Sequence, residues 1–307
     1  MPGIIVNDDN SLVRAGPRWS APVRAGRTGS GAGFTKERNQ MADACCGPSP
    51  EGTNPGGGDV KEAIREVYSR VAVGKESCCG GGEMLVGVES LLASGYSEER
   101  VADLPTGLVE SNAACGNPID IAGLKEGETV LDLGSGAGLD CFLAAGEVGG
   151  SGRSIGLDMT DAMLAKAEAN HEKMGLVNVE FRKGEMEAMP VGDGEVDAII
   201  SNCVINLSPD KAAVFRESHR VLKHGGRFVV SDVIKGEGFE GQGSTEEWCA
   251  CIAGAISEEE YLGGLRAAGF EEAEIVSRTP YLVEGLESVV EGLESAVVRA
   301  VKPRKKP

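Results

Sequence analysis

The sequence is poor in aromatic residues, which make up 4% of its 307 positions, and it contains three histidines. No stretch reaches the roughly 20 consecutive apolar residues that a membrane-spanning helix needs. The N-terminus also lacks the continuous apolar region of a secretory signal peptide. These absences predict a cytoplasmic protein that has no membrane partner.

Positive charge is also in short supply. Lys and Arg number 30 against 48 Asp and Glu, which gives a formal net charge of −18. Such a surface repels phosphate backbones, so nucleic acid is excluded as a partner attracted by bulk charge. The one obvious basic cluster lies at the C-terminus, and we interpret it as a solvated tail. Its members are Lys302, Arg304, Lys305 and Lys306.

Cysteine is present in an odd number, and paired CxxC knuckles are missing. The nine cysteines stand at positions 45, 46, 78, 79, 115, 141, 203, 249 and 251. An odd count in a long chain without a secretory signal predicts no disulfide framework. The spacing of Cys249 and Cys251 is poor support for a zinc site, because structural zinc sites use paired knuckles. Reduced thiols therefore suggest metal or metalloid binding, or redox chemistry.

The chain divides by composition into four predicted parts. Residues 1–58 mix Gly, Ser, Pro, Asn and Arg without periodicity and are expected to be disordered. An organelle transit peptide, or a chain that starts at Met41, remains an alternative for this segment. Residues 59–118 are predicted to form an N-terminal helical cap, 119–235 the core, and 236–307 a small C-terminal α+β part.

The core alternates short apolar strands with helices of 10 to 15 residues, which predicts a doubly wound, mostly parallel sheet. Strands are expected at 129–133, 153–157, 178–182, 196–201, 227–233, 272–277 and 296–301. Helices are expected at 59–73, 138–148, 161–174, 209–223 and 257–269. Asp161 and Ser208 are predicted caps, and Ser257 with Glu260 forms a capping box. The VEGLES repeat at 283–288 and 290–295 is interpreted as one amphipathic helix.

A glycine-rich turn follows the first core strand, where Gly134, Gly136 and Gly138 have the spacing GxGxG. Glycine lets the backbone turn sharply and approach a ligand closely. The next strand ends at Asp158, whose carboxylate can accept both hydroxyls of a ribose. An NAD-type dehydrogenase is the alternative, but its fingerprint is GxGxxG. The turn therefore predicts a nucleotide-like ligand at the carboxyl ends of the strands.

Four segments in order, VLDLGSGAG, GLDMT, GEMEAMP and VLKHGGRFVVSD, resemble class I methyltransferases over residues 115–235. The resemblance implies a Rossmann-like α/β fold that binds S-adenosylmethionine. Its glycine turn would border the methionine and ribose, Asp158 the ribose, and Met159 the adenine. The full set of implied cofactor-binding residues is Asp132, Gly134, Ser135, Gly136, Gly138, Asp158, Met159, Glu185, Met186 and Asn202.

The contexts of three cysteines narrow the resemblance further. The segments CGNP, SNCVINLSPDK and CIAGAI, with the motifs above, closely resemble arsenite S-adenosylmethionine methyltransferases over residues 59–280. This resemblance implies that Cys115, Cys203 and Cys251 bind trivalent arsenic through sulfur. It also implies that Cys78 or Cys79 binds arsenic or forms a disulfide during turnover, and the sequence does not choose between the two.

Chemistry agrees with this implication, because trivalent arsenic is soft and prefers thiolates. Three sulfurs on one side leave the arsenic lone pair free to attack the methyl group, so no general base is needed and positioning dominates catalysis. We expect a monomer, with arsenite or its thiol conjugates as substrate and thioredoxin or glutathione as reductant. Two alternatives stay open: a methyltransferase for an organic ring, which 4% aromatics does not favour, and a protein that sequesters metalloids.

Overall fold

The structure is a computed structural model that describes residues 5–6, 12–13, 57–73, 88–102, 104–109, 114–236, 239, 248, 251–282 and 289–305. Two compact units, Met1–Gly52 and Thr53–Pro307, are distinguished. In the first, strands β1 (Ile5–Val6) and β2 (Leu12–Val13) pair antiparallel, a ladder that the sequence does not predict. The other positions up to residue 56, for which disorder is predicted, lie outside the described residues.

The second unit is organised around one large sheet with the order β5-β4-β3-β6-β7-β10-β9, with β8 beside β7. Strands β3 to β7 are parallel, and β10 runs antiparallel to both β7 and β9. The strands are β3 (Thr129–Leu133), β4 (Arg153–Asp158), β5 (Val179–Lys183), β6 (Val196–Asn202), β7 (Leu222–Lys235), β8 (Ile256–Ser257), β9 (Glu271–Leu282) and β10 (Val289–Val301). The predicted doubly wound, mostly parallel fold is confirmed.

Nine α-helices are described in this unit. They are α1 (Gly57–Ala72), α2 (Val88–Ala93), α3 (Glu98–Ala102), α4 (Thr106–Val109), α5 (Pro118–Ala122), α6 (Leu139–Val148), α7 (Asp161–Met174), α8 (Lys211–Val221) and α9 (Glu258–Ala267). Among the described residues, no helix combines the length and the apolar character that crossing a bilayer requires.

Both faces of the sheet are buried, because successive residues of a strand point to opposite sides. Val130 of β3 belongs to a cluster that includes Ile119 of α5 and Val148 of α6. Its neighbour Leu131 belongs to the largest cluster, which includes Phe215 of α8. The helices thus cover the sheet on two sides, and the carboxyl ends of β3, β4 and β6 form one edge of the second unit.

Helix caps follow the sequence only in part. Ser257 and Glu260 form the predicted capping box at α9. The predicted caps Asp161 and Ser208 are wrong. Thr160 is the N-cap of α7, and Asp210 caps α8, where its side chain accepts a hydrogen bond from the Ala213 amide at 2.9 Å. Because Asp210 accepts this bond two residues beyond Ser208, α8 starts only at Lys211.

The C-terminal repeat is also not a helix where the structure describes it. Residues 290–295, the second copy of VEGLES, lie in β10, while the first copy lies outside the described residues. Leu293, Glu294 and Ser295 pair with β7 on one side, and Glu294 and Ser295 pair with β9 on the other. Hydrogen bonds to two neighbouring strands outweigh the helical preference of the local sequence.

The basic C-terminus is anchored through the Lys302 side chain instead of being fully solvated. The ammonium group of Lys302 donates to the carbonyl oxygens of His219 and Leu222, each at 2.7 Å. These carbonyls belong to the last turn of α8 and the residue after it, where carbonyl groups lack partners within a helix. Lys302 therefore caps α8, and its residue is 9% exposed.

Candidate active site

The glycine turn connects β3 to α6 and has left-handed backbone angles at its glycines. Gly134 has φ of 67°, and a Cβ at this position would collide with the Val204 side chain. Gly136 has φ of 51°, and no heavy atom lies within 4 Å of the place where its Cβ would be. The backbone at Gly136 is consequently open to close approach by a ligand, as the sequence predicts.

Asp158 ends β4 beside this turn. Its carboxylate accepts hydrogen bonds from the Gly136 amide at 3.0 Å and the Thr160 amide at 2.8 Å. Burial raises the pKa of Asp158 above its usual value, and these amide hydrogen bonds oppose that shift. The hydroxyl of Ser135 is buried and finds no hydrogen-bond partner among the described residues. A carboxylate and an unpaired hydroxyl thus lie together at an open glycine turn.

The remaining residues with a predicted cofactor role have other contacts in the structure. Met159 packs in the cluster that contains the site cysteines, and Met186 packs against the main core. Glu185 forms ion pairs with Lys61 at 2.8 Å and with Arg65 at 3.4 Å. Helix α1 therefore lies over the end of β5, and the cofactor-binding role of Glu185 and Met186 stays a prediction.

Asp132 is buried in β3 next to another carboxylate, Asp140, in the first turn of α6. Burial and the neighbouring Asp140 raise the pKa of Asp132 well above its usual value, although a hydrogen bond from Cys141 opposes this. Burial likewise raises the pKa of Asp140 to about 6, against hydrogen bonds from Tyr96 and Asn202. These contacts do not test whether Asp132 binds the cofactor, so that role stays a prediction.

The three cysteines that the resemblance singles out lie in one cluster of packed side chains. Cys115, which precedes α5, forms a disulfide with Cys203, which follows β6, and their Cα atoms are 5.7 Å apart. The Cys251 thiol donates a hydrogen bond to the Cys203 carbonyl oxygen at 2.7 Å. The cysteines thus meet across 136 residues of chain from Cys115 to Cys251, at the same edge of the sheet as the glycine turn.

This arrangement corrects one expectation, because the sequence predicts reduced thiols at all three positions. Two of the sulfurs are bonded to each other, and a disulfide sulfur is not a thiolate ligand. Accordingly, no group of three or more His, Cys, Asp or Glu in the described part of the chain is arranged to hold a metal ion. Arsenic binding at Cys115, Cys203 and Cys251 stays a prediction that requires the reduced state.

Two of these cysteines adopt a backbone conformation that is rare for residues with a side chain. Cys203 has φ of 59° and Cys251 has φ of 62°. In the described residues, Glu272 is the one other non-glycine residue with positive φ. Such a conformation costs on the order of 1–3 kcal/mol and is typical of functional positions. The fold therefore holds both cysteines in strained turns.

The surroundings of the cysteines are apolar. Ile64 of α1 is fully buried in the same cluster, and Cys203 and Cys251 are 9% and 4% exposed. Four aromatic residues belong to the cluster, namely Tyr68, Phe239, Trp248 and Tyr281. The low aromatic content of the whole chain therefore does not exclude aromatic residues around the cysteines.

Other cysteines do not join this cluster in the described structure. Cys141 is fully buried in α6 and packs with Leu139 and Phe142, so the prediction that it is a core residue is confirmed. Cys78, Cys79 and Cys249 lie outside the described residues, and their predicted roles stay open.

The glycine turn and the cysteines are connected by contacts that sequence reasoning missed. Val204 packs on Gly134, and the Asn202 side chain contacts the backbone amide of Cys115 and the backbone carbonyl of Gly116. The Asn202 side chain also contacts Tyr96 and Asp140. The position of Asp140 shortly after the glycine turn is a sequence feature that could have indicated a role at this site. No local sequence feature indicates such a role for Tyr96.

Comparisons with known proteins agree with this geometry. A family model described as a methyltransferase domain matches residues 124–269. An arsenite methyltransferase of Halobacterium salinarum is 40% identical over 263 residues, which cover 80% of this chain and 67% of that relative. The chain belongs to the arsenite methyltransferase family. The prediction of an S-adenosylmethionine-dependent arsenite methyltransferase is thereby confirmed at the level of the family.

Two further relatives extend the comparison. An arsenite methyltransferase of Aquipseudomonas alcaligenes is 34% identical over 235 residues, which cover 72% of this chain and 65% of that protein. The crystal structure of an arsenic(III) S-adenosylmethionine methyltransferase from Chlamydomonas reinhardtii matches with a TM-score of 0.59 and 35% identity, over 66% of this chain and 72% of that one. The chain spans about two thirds of the length of these curated relatives.

S-adenosylmethionine is the cofactor of this methyltransferase domain, and the residues present fit it. Gly136 leaves its backbone open, and the Asp158 carboxylate lies at the end of the neighbouring strand. In doubly wound sheets this position binds the ribose of a nucleotide-like ligand. The Ser135 hydroxyl is a further polar group of this turn, buried and without a hydrogen-bond partner among the described residues.

Proposed function

We propose that this chain methylates trivalent arsenic that is held by Cys115, Cys203 and Cys251. The observation that carries the proposal is the meeting of these three cysteines beside the glycine turn. The family relatives named as arsenite methyltransferases support the choice of substrate. In this proposal, arsenite or its thiol conjugate is the methyl acceptor.

We also propose that the chain is organised in four parts, with boundaries after residues 58, 118 and 235.

In this proposal the chain supplies ligands and geometry. Three sulfurs bind one side of the soft arsenic atom and leave its lone pair uncoordinated. The glycine turn and Asp158 would hold S-adenosylmethionine, whose sulfonium–methyl bond would break as the arsenic–carbon bond forms, with S-adenosylhomocysteine as the leaving group. A lone pair on arsenic carries no proton, so the site needs no general base. The strained turns at Cys203 and Cys251 fix two of the ligands in advance.

The disulfide between Cys115 and Cys203 requires a reductant before arsenic binds. Two external thiols supply two electrons and two protons, which convert the disulfide to two thiols while the external pair becomes a disulfide. Thioredoxin or glutathione provides this chemistry in our proposal. A reducing compartment such as the cytoplasm suits such a site, and one copy of the chain contains all three ligands, so we propose that it acts as a monomer.

Apolar packing would keep water from the acceptor. Ile64 of α1 and the aromatic residues around the cysteines form this covering. Exclusion of water strengthens the interaction between charged groups in a site and prevents side reactions. We therefore assign α1 the role of covering both the cysteines and the cofactor side of the site.

The proposal is tested with the full chain, arsenite, S-adenosylmethionine and glutathione. Methylated arsenicals are separated by chromatography and quantified by mass spectrometry. We expect product from the wild type, and a loss on the order of 100-fold in the Cys203→Ser and Cys251→Ser variants, because a neutral hydroxyl does not replace a thiolate for soft arsenic.

The matched control is Cys141→Ser, which changes a buried cysteine in the core of α6. It should retain activity within a few-fold of the wild type. Full arsenic methylation by the Cys203→Ser and Cys251→Ser variants would show that these cysteines are not the arsenic ligands. Absence of methylated arsenicals from the wild type would support an organic acceptor, and tight arsenic binding without any affinity for S-adenosylmethionine would support a sequestration protein. Each of these results would overturn the proposal.

A further inference from the structure

The backbone around Cys115 is held by side chains from other parts of the chain. The Cys115 amide donates to Asn202 Oδ1 at 2.9 Å, and the next carbonyl, that of Gly116, accepts from Asn202 Nδ2 at 2.7 Å. The Cys115 carbonyl oxygen accepts a hydrogen bond from the Ser295 hydroxyl in β10. One amide side chain therefore binds two consecutive residues at this cysteine.

Asn202 is also the residue directly before Cys203 and the last residue of β6. The backbone at Cys203 is fixed by its own amide, which donates to the Ser231 carbonyl in β7 at 2.8 Å. Asn202 thus joins the segment that carries Cys115 to the strand end that carries Cys203. This contact bridges 87 positions of the sequence, so no local pattern predicts it.

A buried tyrosine and a buried carboxylate orient this amide. Asn202 Nδ2 donates to the Tyr96 hydroxyl oxygen at 3.0 Å, and the Tyr96 hydroxyl donates to Asp140 Oδ1 at 2.7 Å. Asp140 Oδ2 lies 3.4 Å from Asn202 Nδ2. All these acceptors surround the nitrogen, so the amide oxygen must face the Cys115 amide. The opposite orientation would place N–H groups against N–H.

This network starts at the cofactor side of the site. Asp140 lies in the first turn of α6, two residues after Gly138 of the glycine turn. Tyr96 and Asp140 are 2% and 6% exposed, so their hydrogen bonds are shielded from water. Hydrogen bonds between buried groups are strong determinants of geometry, because breaking one leaves a buried polar group without a partner.

We propose that Asn202, oriented by Tyr96 and Asp140, is a positioning residue that holds Cys115 against Cys203 so that the two sulfurs act as a preformed pair. The proposal deepens the proposed function and rests on it, since the pair supplies two of the three arsenic ligands. This assigns the Asn202 side chain to the acceptor site instead of the cofactor. Binding to a preformed pair costs less ordering entropy than binding to two independent thiols.

The experiment measures how strongly the fold favours the two sulfurs in contact, without arsenic. Full chain is equilibrated in mixtures of reduced and oxidised glutathione, remaining thiols are alkylated, and the peptide that links Cys115 to Cys203 is quantified by mass spectrometry. Here two cysteine thiols lose two electrons and two protons to glutathione disulfide, which becomes two glutathione molecules. The equilibrium constant reports the effective concentration of one thiol at the other.

We expect the Asn202→Ala variant to lower this equilibrium constant about tenfold or more, because the buried backbone groups at Cys115 lose their partner. Tyr96→Phe, which removes a single hydroxyl, should lower it about threefold. The matched control is Ser201→Ala, which removes a buried hydrogen bond from the preceding residue of β6 to the Leu133 carbonyl at 2.9 Å. It should change the equilibrium less than twofold, although it also perturbs the interior of the strand.

Two results would overturn the proposal. One is an Asn202→Ala equilibrium within twofold of the wild type, and the other is an equal shift in the Ser201→Ala control. If Asn202→Ala does not fold, Tyr96→Phe takes its place: an equilibrium constant within twofold of the wild type, or no lower than that of Ser201→Ala, would overturn the proposal. Because no arsenic is used, failure here is distinct from failure of the proposed function, which would appear as absent methylation by a chain whose cysteine pair behaves as expected.

Discussion

Buried charged groups behind the cysteine site form a second polar cluster. Asp232 of β7 is fully buried, accepts a hydrogen bond from the Val233 amide at 3.0 Å and lies 3.4 Å from the Tyr261 hydroxyl. Burial raises the pKa of Asp232 to about 7, and the nearby cation of Lys211 partly opposes this shift. Burial also lowers the pKa of Lys211. The interior thus penalises the charge on both partners.

The raised pKa of Asp232 makes stability depend on pH. The folded chain binds a proton at this carboxyl more tightly than the unfolded chain, so the stability it contributes is lost as pH rises from about 4 to about 7. We expect the wild type to lose roughly 2–4 kcal/mol from this group across that window. Asp232→Asn, which cannot ionise, should have a flatter profile of unfolding free energy between about pH 4 and pH 7.

Urea unfolding at several pH values measures this difference. The same change at exposed Asp161, whose side chain is 79% accessible, serves as the control, and Asp232→Asn should flatten the profile more than this control does. Parallel profiles for Asp232→Asn and the wild type would show that Asp232 does not titrate in this range.

At the scale of elements, helix α1 packs against the cysteine cluster. Val60 and Ile64 are buried against the cysteine cluster, while Lys61 pairs with Glu185 at 2.8 Å and Glu187 at 2.9 Å. The helix is therefore held by an apolar face and by one lysine between two carboxylates. Partly exposed ion pairs contribute little, so the apolar face dominates.

Shortening Ile64 should loosen this covering. An Ile→Ala change in a core costs about 2–5 kcal/mol, and part of that loss falls on the docking of α1. We expect iodoacetamide to alkylate Cys251 about tenfold faster or more in Ile64→Ala than in the wild type, because local opening exposes the thiol more often. Rates are followed by mass spectrometry of the Cys251 peptide.

Val73→Ala, at the exposed residue that follows the same helix, provides the comparison and should not change the rate. An unchanged rate for Ile64→Ala would mean that α1 does not protect the cysteines. The result would then remove the role that we assign to this helix.

The sequence predicts the regular elements of the core well, because their signals are local. The strand at 129–133 and the helix at 161–174 have the predicted bounds, and both are defined by hydrophobic pattern and a following glycine. The helix predicted at 290–295 is wrong, because the strand there depends on pairing with β7 and β9. A short sequence segment does not show which strands, distant in the sequence, it will pair with.

The candidate site shows the same division. The glycine spacing and the strand-end carboxylate Asp158 predict the cofactor side from sequence. The motifs around Cys115, Cys203 and Cys251 predict these three cysteines as arsenic ligands. The disulfide, the covering by Ile64 and the contacts of Asn202 depend on the folded arrangement. The cluster around the cysteines also contains aromatic residues, which the average composition does not predict.

At the scale of the whole molecule, the chain combines two sites at one edge of a sheet. Parallel strands β3, β4 and β6 end beside one another, so the glycine turn, Asp158 and Cys203 lie on neighbouring strand ends. Cys115 and Cys251 reach this edge from segments before and after the parallel strands. The fold therefore explains how three cysteines far apart in sequence become neighbours next to a cofactor turn.

X-ray absorption at the arsenic edge tests the central claim most directly, with the reduced full chain and one equivalent of arsenite. The account predicts three sulfur neighbours around arsenic in the wild type and two in the Cys251→Ser variant. Oxygen neighbours in the wild type, or the same three sulfurs after Cys251 is replaced, would contradict it.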